Sequence, residues 1–198
     1  MKSTGLASIL GAVLFTNAAS FDAQSDATLQ IYVRNFGRVP DDIMSVAKEE
    51  LHKVFREIHI EIMWTDIPVD IVNGAVGQFN VQVLARSTFK DPSRRAALGS
   101  VQRTNRGTQS VHVFYDRIQE FQQASRGSTD RKTVTGRILA YAIAHELGHV
   151  LLKSMTHSSK GIMRAKWESS DIEDSAGTMF FASSEGDVIR KQLRKRTP

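Results

Sequence analysis

The chain has 198 residues, of which 41% are hydrophobic and 24% are charged, a composition typical of one globular domain rather than of a repeat array or a disordered chain. The formal net charge of +5 is small, and no aromatic-rich surface or recognition-helix pattern accompanies the basic residues, so nucleic-acid binding is not predicted. Because the chain contains no cysteine, disulfides, thiolate metal sites and cysteine-based catalysis are excluded.

The start of the chain has the pattern of a secretory signal peptide. Lys2 is followed by an apolar run over 6–15, and small residues close the segment at 18–20. The apolar run is shorter than the ~20 residues that a bilayer-spanning helix needs, so stable membrane insertion is not expected. We therefore predict a signal peptide over 1–20, one domain over 21–198, and a secreted protein, either extracellular or periplasmic.

The first half of the predicted domain alternates strands with a helix. Apolar residues recur at every second position in the strands and at helical spacing in the helix. The predicted elements are a strand over 28–33, a helix over 40–58, and strands over 60–67 and 80–84. A strand, a helix and a strand in succession predict a βαβ unit whose two strands are parallel.

The second half of the domain is predicted to add two strands and two helices. They are strands over 97–103 and 111–115, the first at a sheet edge, and helices over 134–152 and 185–194. A basic loop over 89–95 and a Gly/Ser-rich connection over 124–130 separate them. Ser184 is the expected N-cap of the last helix. The predicted fold class is a single α/β (α+β) domain with a twisted, mixed, mostly parallel sheet.

The predicted helix over 134–152 contains the sequence His145-Glu146-Leu147-Gly148-His149. Two histidines four residues apart stand one helical turn apart on the same face, where their ring nitrogens can converge on one ion. Neutral imidazole is a good zinc ligand. Glu146 points to the adjacent sector, where it can reach a water rather than the metal. The pattern therefore predicts a catalytic zinc site.

A catalytic zinc usually takes three protein ligands and keeps one position for water, so a third ligand is needed. His157, eight residues after His149, is the nearest candidate if the chain turns back after the helix. Glu168 is a rival, and Glu173 lies a little further on. The remaining histidines, His52, His59 and His112, are expected to be structural or surface residues.

The turn after His157 ends in Gly161-Ile162-Met163, and here the chain resembles the metzincin clan of zinc peptidases. The clan signature is HExxHxxGxxH, followed by a tight turn with a methionine beneath the metal. The predicted order of strand, helix, strands and active-site helix is also similar to the N-terminal half of the clan. The resemblance implies a zinc cofactor with His145, His149 and His157 as ligands, Glu146 as general base and Met163 as the hydrophobic floor of the site.

The chain departs from the clan pattern at three positions. Leu152 and Met155 occupy the places of the signature glycine and third histidine, so that His157 comes two residues late. Ala165 stands where many members have a tyrosine. These departures indicate a divergent, bacterial, secreted type rather than a named subfamily.

The predicted function is that of a secreted zinc metallopeptidase, an endopeptidase in which a metal-activated water attacks the peptide bond and Glu146 accepts its proton. Two alternatives remain open. One is a gluzincin-like peptidase with Glu168 as third ligand. The other is a secreted binding module whose zinc is purely structural, which would require a fourth protein ligand.

The expected partner is a protein or peptide substrate. An extended peptide would pair with the predicted edge strand at 98–103, beside a side-chain pocket walled by 164–167. Only about eight residues separate the predicted cleavage site from the first strand, which leaves no room for an inhibitory prodomain. We therefore expect the enzyme either to emerge active or to be restrained by a separate inhibitor.

Overall fold

The computed structural model describes residues 27–68, 77–91, 94–103, 109–124, 130–173 and 179–194. The predicted signal peptide over 1–20 lies outside these residues. Within them the elements are, in chain order, β1 (Ala27–Asn35), α1 (Asp41–Arg56), β2 (Ile60–Thr65), β3 (Gln78–Leu84), β4 (Gly99–Arg103), β5 (Gln109–Phe114), α2 (Tyr115–Ala124), α3 (Arg131–Leu152), α4 (Ser169–Glu173) and α5 (Ser183–Arg194).

The five strands form one sheet in the order β2-β1-β3-β5-β4. β1 runs parallel to β2 and β3, and β3 runs parallel to β5. β4 lies at the edge and pairs antiparallel with β5. The predicted fold class of an α/β domain with a mixed, mostly parallel sheet is confirmed, and so is the parallel βαβ unit made by β1, α1 and β2.

Alternation along the strands buries one face of the sheet. In β1 the side chains of Leu29 and Ile31 are fully buried, whereas the side chain of Thr28, also in β1, is exposed. In β3 the buried positions are Phe79, Val81 and Val83. These side chains share one hydrophobic core with the apolar faces of α1 and α3. The two-residue period of a strand and the 3.6-residue period of a helix therefore account for most of the core.

Helix α3 is held against α1 by close backbone approach and by a buried polar contact. A Cβ atom at Gly136 would lie only 2.6 Å from the Val46 side chain, so the glycine lets the two helices meet. The Tyr141 hydroxyl donates a hydrogen bond of 2.8 Å to the buried carboxylate of Glu50. The Lys53 ammonium group lies 3.0 Å from the same carboxylate. These contacts set the position of the helix that contains the two neighbouring histidines.

The observed helix starts differ from two sequence expectations. α3 begins three residues before the predicted start at 134, because the Asp130 carboxylate accepts a hydrogen bond of 3.2 Å from the Thr133 backbone N–H and caps the helix. The prediction that Ser184 is the N-cap of the last helix was wrong. Ser184 lies inside α5, and the Ala182 backbone N–H donates instead to the Glu185 carboxylate at 2.8 Å.

Two helices were not predicted. α2 follows β5 without a loop and buries only Tyr115 and Ile118, too few apolar residues to produce a clear helical period. α4 is a five-residue helix, shorter than any periodic pattern can indicate. Across the described part of the chain, no helix combines the length and the apolar character needed to cross a membrane.

Candidate metal centre

His145 and His149 lie on successive turns of α3 and face each other. Their Nε2 atoms are 3.1 Å apart, and the two ring planes are nearly perpendicular at 87°. His149 is buried, and His145 is partly buried. The i, i+4 spacing of the sequence therefore produces the convergence that it predicts.

The chain turns back after α3 and brings His157 to this pair. Lys153 adopts the left-handed conformation (φ 53°), and its backbone N–H bonds to the His149 and Val150 carbonyl oxygens, which ends the helix. The His157 ring centroid then lies 5.2 Å from that of His145 and 5.0 Å from that of His149. One ring nitrogen from each histidine falls within 4.8 Å of the others.

Backbone carbonyl groups orient the two helical histidines. The Nδ1 atom of His145 donates to the Ile162 carbonyl oxygen at 2.8 Å, and that of His149 donates to the Ser154 carbonyl oxygen at 2.8 Å. A carbonyl oxygen can only accept, so the proton of each neutral ring is on Nδ1. Each Nε2 atom therefore presents a lone pair, and the two Nε2 atoms lie close enough together to bind one ion.

Burial keeps these rings neutral. Desolvation lowers the pKa of His145 to about 4, and it also lowers the pKa of His149. Neutral imidazole is the form that binds metal ions. Metal binding at this centre therefore requires no proton to be removed from either helical histidine near neutral pH.

The donor set fits a divalent zinc ion. Two nitrogens on a tetrahedral zinc with bonds of ~2.0–2.1 Å lie about 3.3 Å apart, close to the separation of the two Nε2 atoms. In the described residues the group contains His145, His149 and His157 and no carboxylate, so neither Glu146 nor Glu168 joins it. Three nitrogen donors without a fourth protein ligand are typical of an open, catalytic zinc site rather than of a closed, structural one.

Glu146 lies beside this group, between α3 and the edge strand β4. Its side chain is buried, with 7% exposed. A Cβ atom at Gly99 in β4 would lie 2.8 Å from the Glu146 Cγ atom and 2.9 Å from its Oε1 atom, so only a glycine leaves room for the carboxylate. Burial raises the pKa of Glu146 to about 8, and the positive charge of Arg94 acts in the opposite direction. A role for Gly99 was not predicted, although a glycine inside a predicted strand often marks such a close approach.

Met163 packs against the C-terminal part of α3, at Gly148. Its side chain is 1% exposed, and a Cβ atom at Gly148 would overlap its sulfur atom. The turn that presents it is closed by a hydrogen bond of 2.8 Å from the Ser158 N–H to the Met163 carbonyl oxygen, and Gly161 supplies the positive φ of 72°. The methionine thus contacts the helix between its two histidines.

The segment over 164–167 lies against the histidines through Trp167. The indole ring centroid is 5.7 Å from that of His145, with the planes at 83°, and the indole N–H is buried without a hydrogen-bond partner among the described residues. The Arg164 guanidinium group makes two hydrogen bonds to the Asp171 carboxylate, at 2.9 and 2.7 Å. The charge of Arg164 is therefore compensated within the chain, and Trp167 is the residue of the predicted wall that reaches the centre.

The other three histidines lie away from this group. The His52 Nε2 atom accepts a hydrogen bond of 2.8 Å from the Trp64 indole, and the His112 Nε2 atom lies 3.0 Å from the Ser110 hydroxyl. His59 is exposed at a left-handed turn (φ 56°). This agrees with their predicted structural or surface roles.

Comparison with models of protein families gave no match, and a search of curated proteins found no relative of this chain.

Proposed function

We propose that the chain is a secreted zinc-dependent endopeptidase of metzincin-like type, in which His145, His149 and His157 hold the metal. The observation that carries the proposal is the meeting of three histidine side chains beside a buried carboxylate, Glu146. Hydrolysis of a peptide bond requires activation of the carbonyl group and a base for the attacking water. The histidine group supports the first requirement, and Glu146 supports the second.

A bound zinc ion would supply Lewis-acid polarisation of the scissile carbonyl and would lower the pKa of a water to about 7. The chain supplies orientation. The carbonyl groups of Ile162 and Ser154 hold the helical imidazoles by their Nδ1–H groups, so that the Nε2 lone pairs stay aligned. Met163 fills the space beneath α3 and limits the movement of this turn of the helix.

Glu146 is the residue proposed to move the proton. Its carboxylate accepts the proton of the attacking water and passes it to the nitrogen of the leaving amine. The side chain lies in a narrow space between α3 and Gly99, which fixes its direction. Burial excludes bulk water from the carboxylate, so the proton remains available to the leaving group.

The free side of β4 supports binding of an extended peptide. Within the described residues β4 pairs with β5 alone, and its other side is open to main-chain hydrogen bonds. Because Gly99 touches Glu146, a peptide added along β4 passes directly by the general base. Substrate binding through the main chain is consistent with an endopeptidase that reads little sequence along β4.

The metzincin-like part of the proposal is supported by the order of the elements and by the place of Met163. It is also supported by the way in which the chain accommodates its late histidine. Lys153 takes the left-handed position at the end of α3, one residue after Leu152, which occupies the place of the signature glycine. Helix α3 thus continues through Leu152, the place of the signature glycine, and the loop to His157 begins at Lys153.

The gluzincin-like and structural-zinc alternatives each require a carboxylate at the metal. Glu168 lies outside the histidine group, and no other described carboxylate joins it. This arrangement favours the three-histidine, catalytic site over both alternatives.

The test is the variant Glu146→Gln, with Glu168→Gln as the matched control. Glutamine has nearly the size of glutamate but cannot take a proton, so we expect an unchanged zinc load and a loss of cleavage on the order of 10²–10⁴-fold. The control, at an exposed position, should keep both. Zinc is measured by atomic absorption, and cleavage is measured on a peptide library with and without chelator. Full cleavage by Glu146→Gln, or a purified protein that takes up no zinc, would overturn the proposal.

A further inference from the structure

Arg94 is an exposed cation supported by an aromatic ring. Its guanidinium carbon lies 4.2 Å from the centroid of the Phe89 ring. The Phe89 ring packs edge-on against the buried Phe114, with centroids 5.3 Å apart and planes at 75°. A guanidinium group over a ring face keeps its in-plane N–H donors available for other partners. The ring therefore positions the charge without satisfying its hydrogen bonds.

The chain leads from Arg94 to the candidate centre within five residues. The Ala97 backbone N–H donates to the Arg94 carbonyl oxygen at 3.1 Å, which closes a turn immediately before β4. Gly99, two residues later, touches the Glu146 side chain. Arg94 thus lies at the end of β4 where a bound peptide would pass the general base.

Arg94 makes no salt bridge in the part of the chain that the structure describes. Salt bridges there engage other cations, for example Arg164 with Asp171, and none involves Arg94. Exposed arginines are common, and by itself this one would indicate only a solvated side chain. The ring support and the position beside Glu146 distinguish it from such a residue.

We propose that Arg94 binds a carboxylate group of the peptide substrate and so gives the enzyme a preference for acidic peptides. The inference rests on the proposed function, because it takes the peptide to lie along β4. The carboxylate can belong to an aspartate or glutamate side chain, or to the C-terminus of the peptide, since a guanidinium group binds either in a bidentate manner.

The experiment measures binding of intact peptides to the zinc-loaded Glu146→Gln protein. Three kinds of matched peptide are compared: a neutral peptide with blocked ends, the same peptide with one Gln→Glu change at each position in turn, and the neutral peptide with a free C-terminal carboxylate. Dissociation constants are measured by calorimetry at low and at high salt. The set is repeated with Arg94→Gln, with Arg94→Glu and with the control Arg95→Glu, an exposed arginine next in the chain.

We expect one acidic peptide to bind about tenfold more tightly than its neutral counterpart at low salt, and less so at high salt. The ratio of the two dissociation constants should fall to about one in Arg94→Gln and should reverse in Arg94→Glu, where the acidic peptide should bind more weakly than its neutral counterpart. The preference should persist in Arg95→Glu, which makes the same change of net charge. The position of the effective carboxylate in the peptide distinguishes a side chain from a C-terminus.

A second variant, Phe89→Leu, keeps the charge and removes the ring, so it should weaken the preference about threefold while leaving the zinc load unchanged. Equal binding of acidic and neutral peptides, or an equal loss in Arg95→Glu, would overturn the inference. Failure of the proposed function has a different signature. In that case the protein with Glu146 intact cleaves no peptide, whatever the outcome of the binding series.

Discussion

Glu146 combines burial with a nearby positive charge. Burial raises its pKa, and Arg94 opposes this rise. A divalent cation held by the neighbouring histidines would lower the pKa further, because it stabilises the carboxylate form. The base form of Glu146 is therefore favoured most when the metal site is filled, which couples readiness for catalysis to metal binding.

His157 is expected to be the third ligand. Replacing it by alanine removes one of three nitrogen donors, so zinc affinity should fall by more than the ~10–100-fold that loss of a mere supporting partner causes. Glu168→Ala should leave zinc affinity unchanged, because Glu168 lies outside the histidine group. Competition with a coloured chelator measures both. A normal zinc load in His157→Ala together with a loss of zinc in Glu168→Ala would show that Glu168, and not His157, is the third ligand.

His112 is expected to make the fold sensitive to acid. Burial lowers its pKa below the ordinary value of 6.5, so the unfolded chain binds the proton more readily than the folded one. Its contribution to stability is therefore present above pH 6.5 and is lost as the pH falls toward the lower folded-state pKa. The variant His112→Gln should be more stable relative to the parent at pH 5 than at pH 8, as measured by urea unfolding.

The exposed His59 provides the control for this pH effect. Asparagine tolerates the left-handed conformation found there, so His59→Asn should preserve the fold. Its stability relative to the parent should change little between the two pH values. A pH-independent difference between His112→Gln and the parent would contradict the assigned cause.

At the scale of elements, the centre is an assembly of three backbone segments. Helix α3 contributes two histidines and Glu146, the loop after it contributes His157, and β4 covers the carboxylate. Each segment approaches its neighbour where a side chain is small or absent. Gly99 faces Glu146, and Gly148 faces Met163.

Gly99→Ala tests the packing of β4 on α3. The added Cβ atom would lie 2.7 Å from the His112 carbonyl oxygen and 2.8 Å from the Glu146 Cγ atom, so the strand or the carboxylate must move. A displacement of ~1 Å of a catalytic group can cost about 10²-fold in rate, and we expect a loss of that order in kcat/KM. The zinc load should be unchanged, because Glu146 is not a ligand in this arrangement.

Ser100→Ala is the control for that variant, because the Ser100 side chain lies on the opposite face of β4. It should retain most of the activity. Circular dichroism verifies that both variants fold. Full activity of Gly99→Ala would show that the close contact has no role in placing the base.

At the scale of the whole molecule, the metal is expected to contribute to stability as well as to chemistry. The chain has no disulfide, and a zinc ion would tie the end of α3 to the loop over 153–157. A ligand at about 1,000 times its dissociation constant stabilises the folded state by ~4 kcal/mol. For a domain of this size we expect chelation to lower Tm by on the order of 10 °C.

Calorimetry with and without chelator measures this shift. His145→Ala should unfold at nearly the same temperature in both conditions, because it lacks a main ligand. A parent protein whose Tm does not respond to chelator would contradict tight metal binding by the folded state.

The local patterns of the chain predicted most of the architecture. The strands are short and alternate, α1 is strongly periodic, and α3 is a long, mostly apolar segment, so neighbours in the sequence were sufficient to indicate them. Helix α2 buries few apolar residues, and for this reason it was not predicted. The approach of His145 to His149 was predictable because both residues lie on one helix, whose geometry is known in advance.

What the tertiary structure decided are the contacts between residues distant in the chain. The approach of His157, and not of Glu168, to the two helical histidines depends on the path of the loop after α3, which the left-handed Lys153 directs. The contact of Gly99 with Glu146 joins residues 47 positions apart. Arg94, in the segment that leads into β4, comes near Glu146 in the same way. A period along the sequence carries no information on such pairs, because they arise only when the sheet and the helix pack on each other.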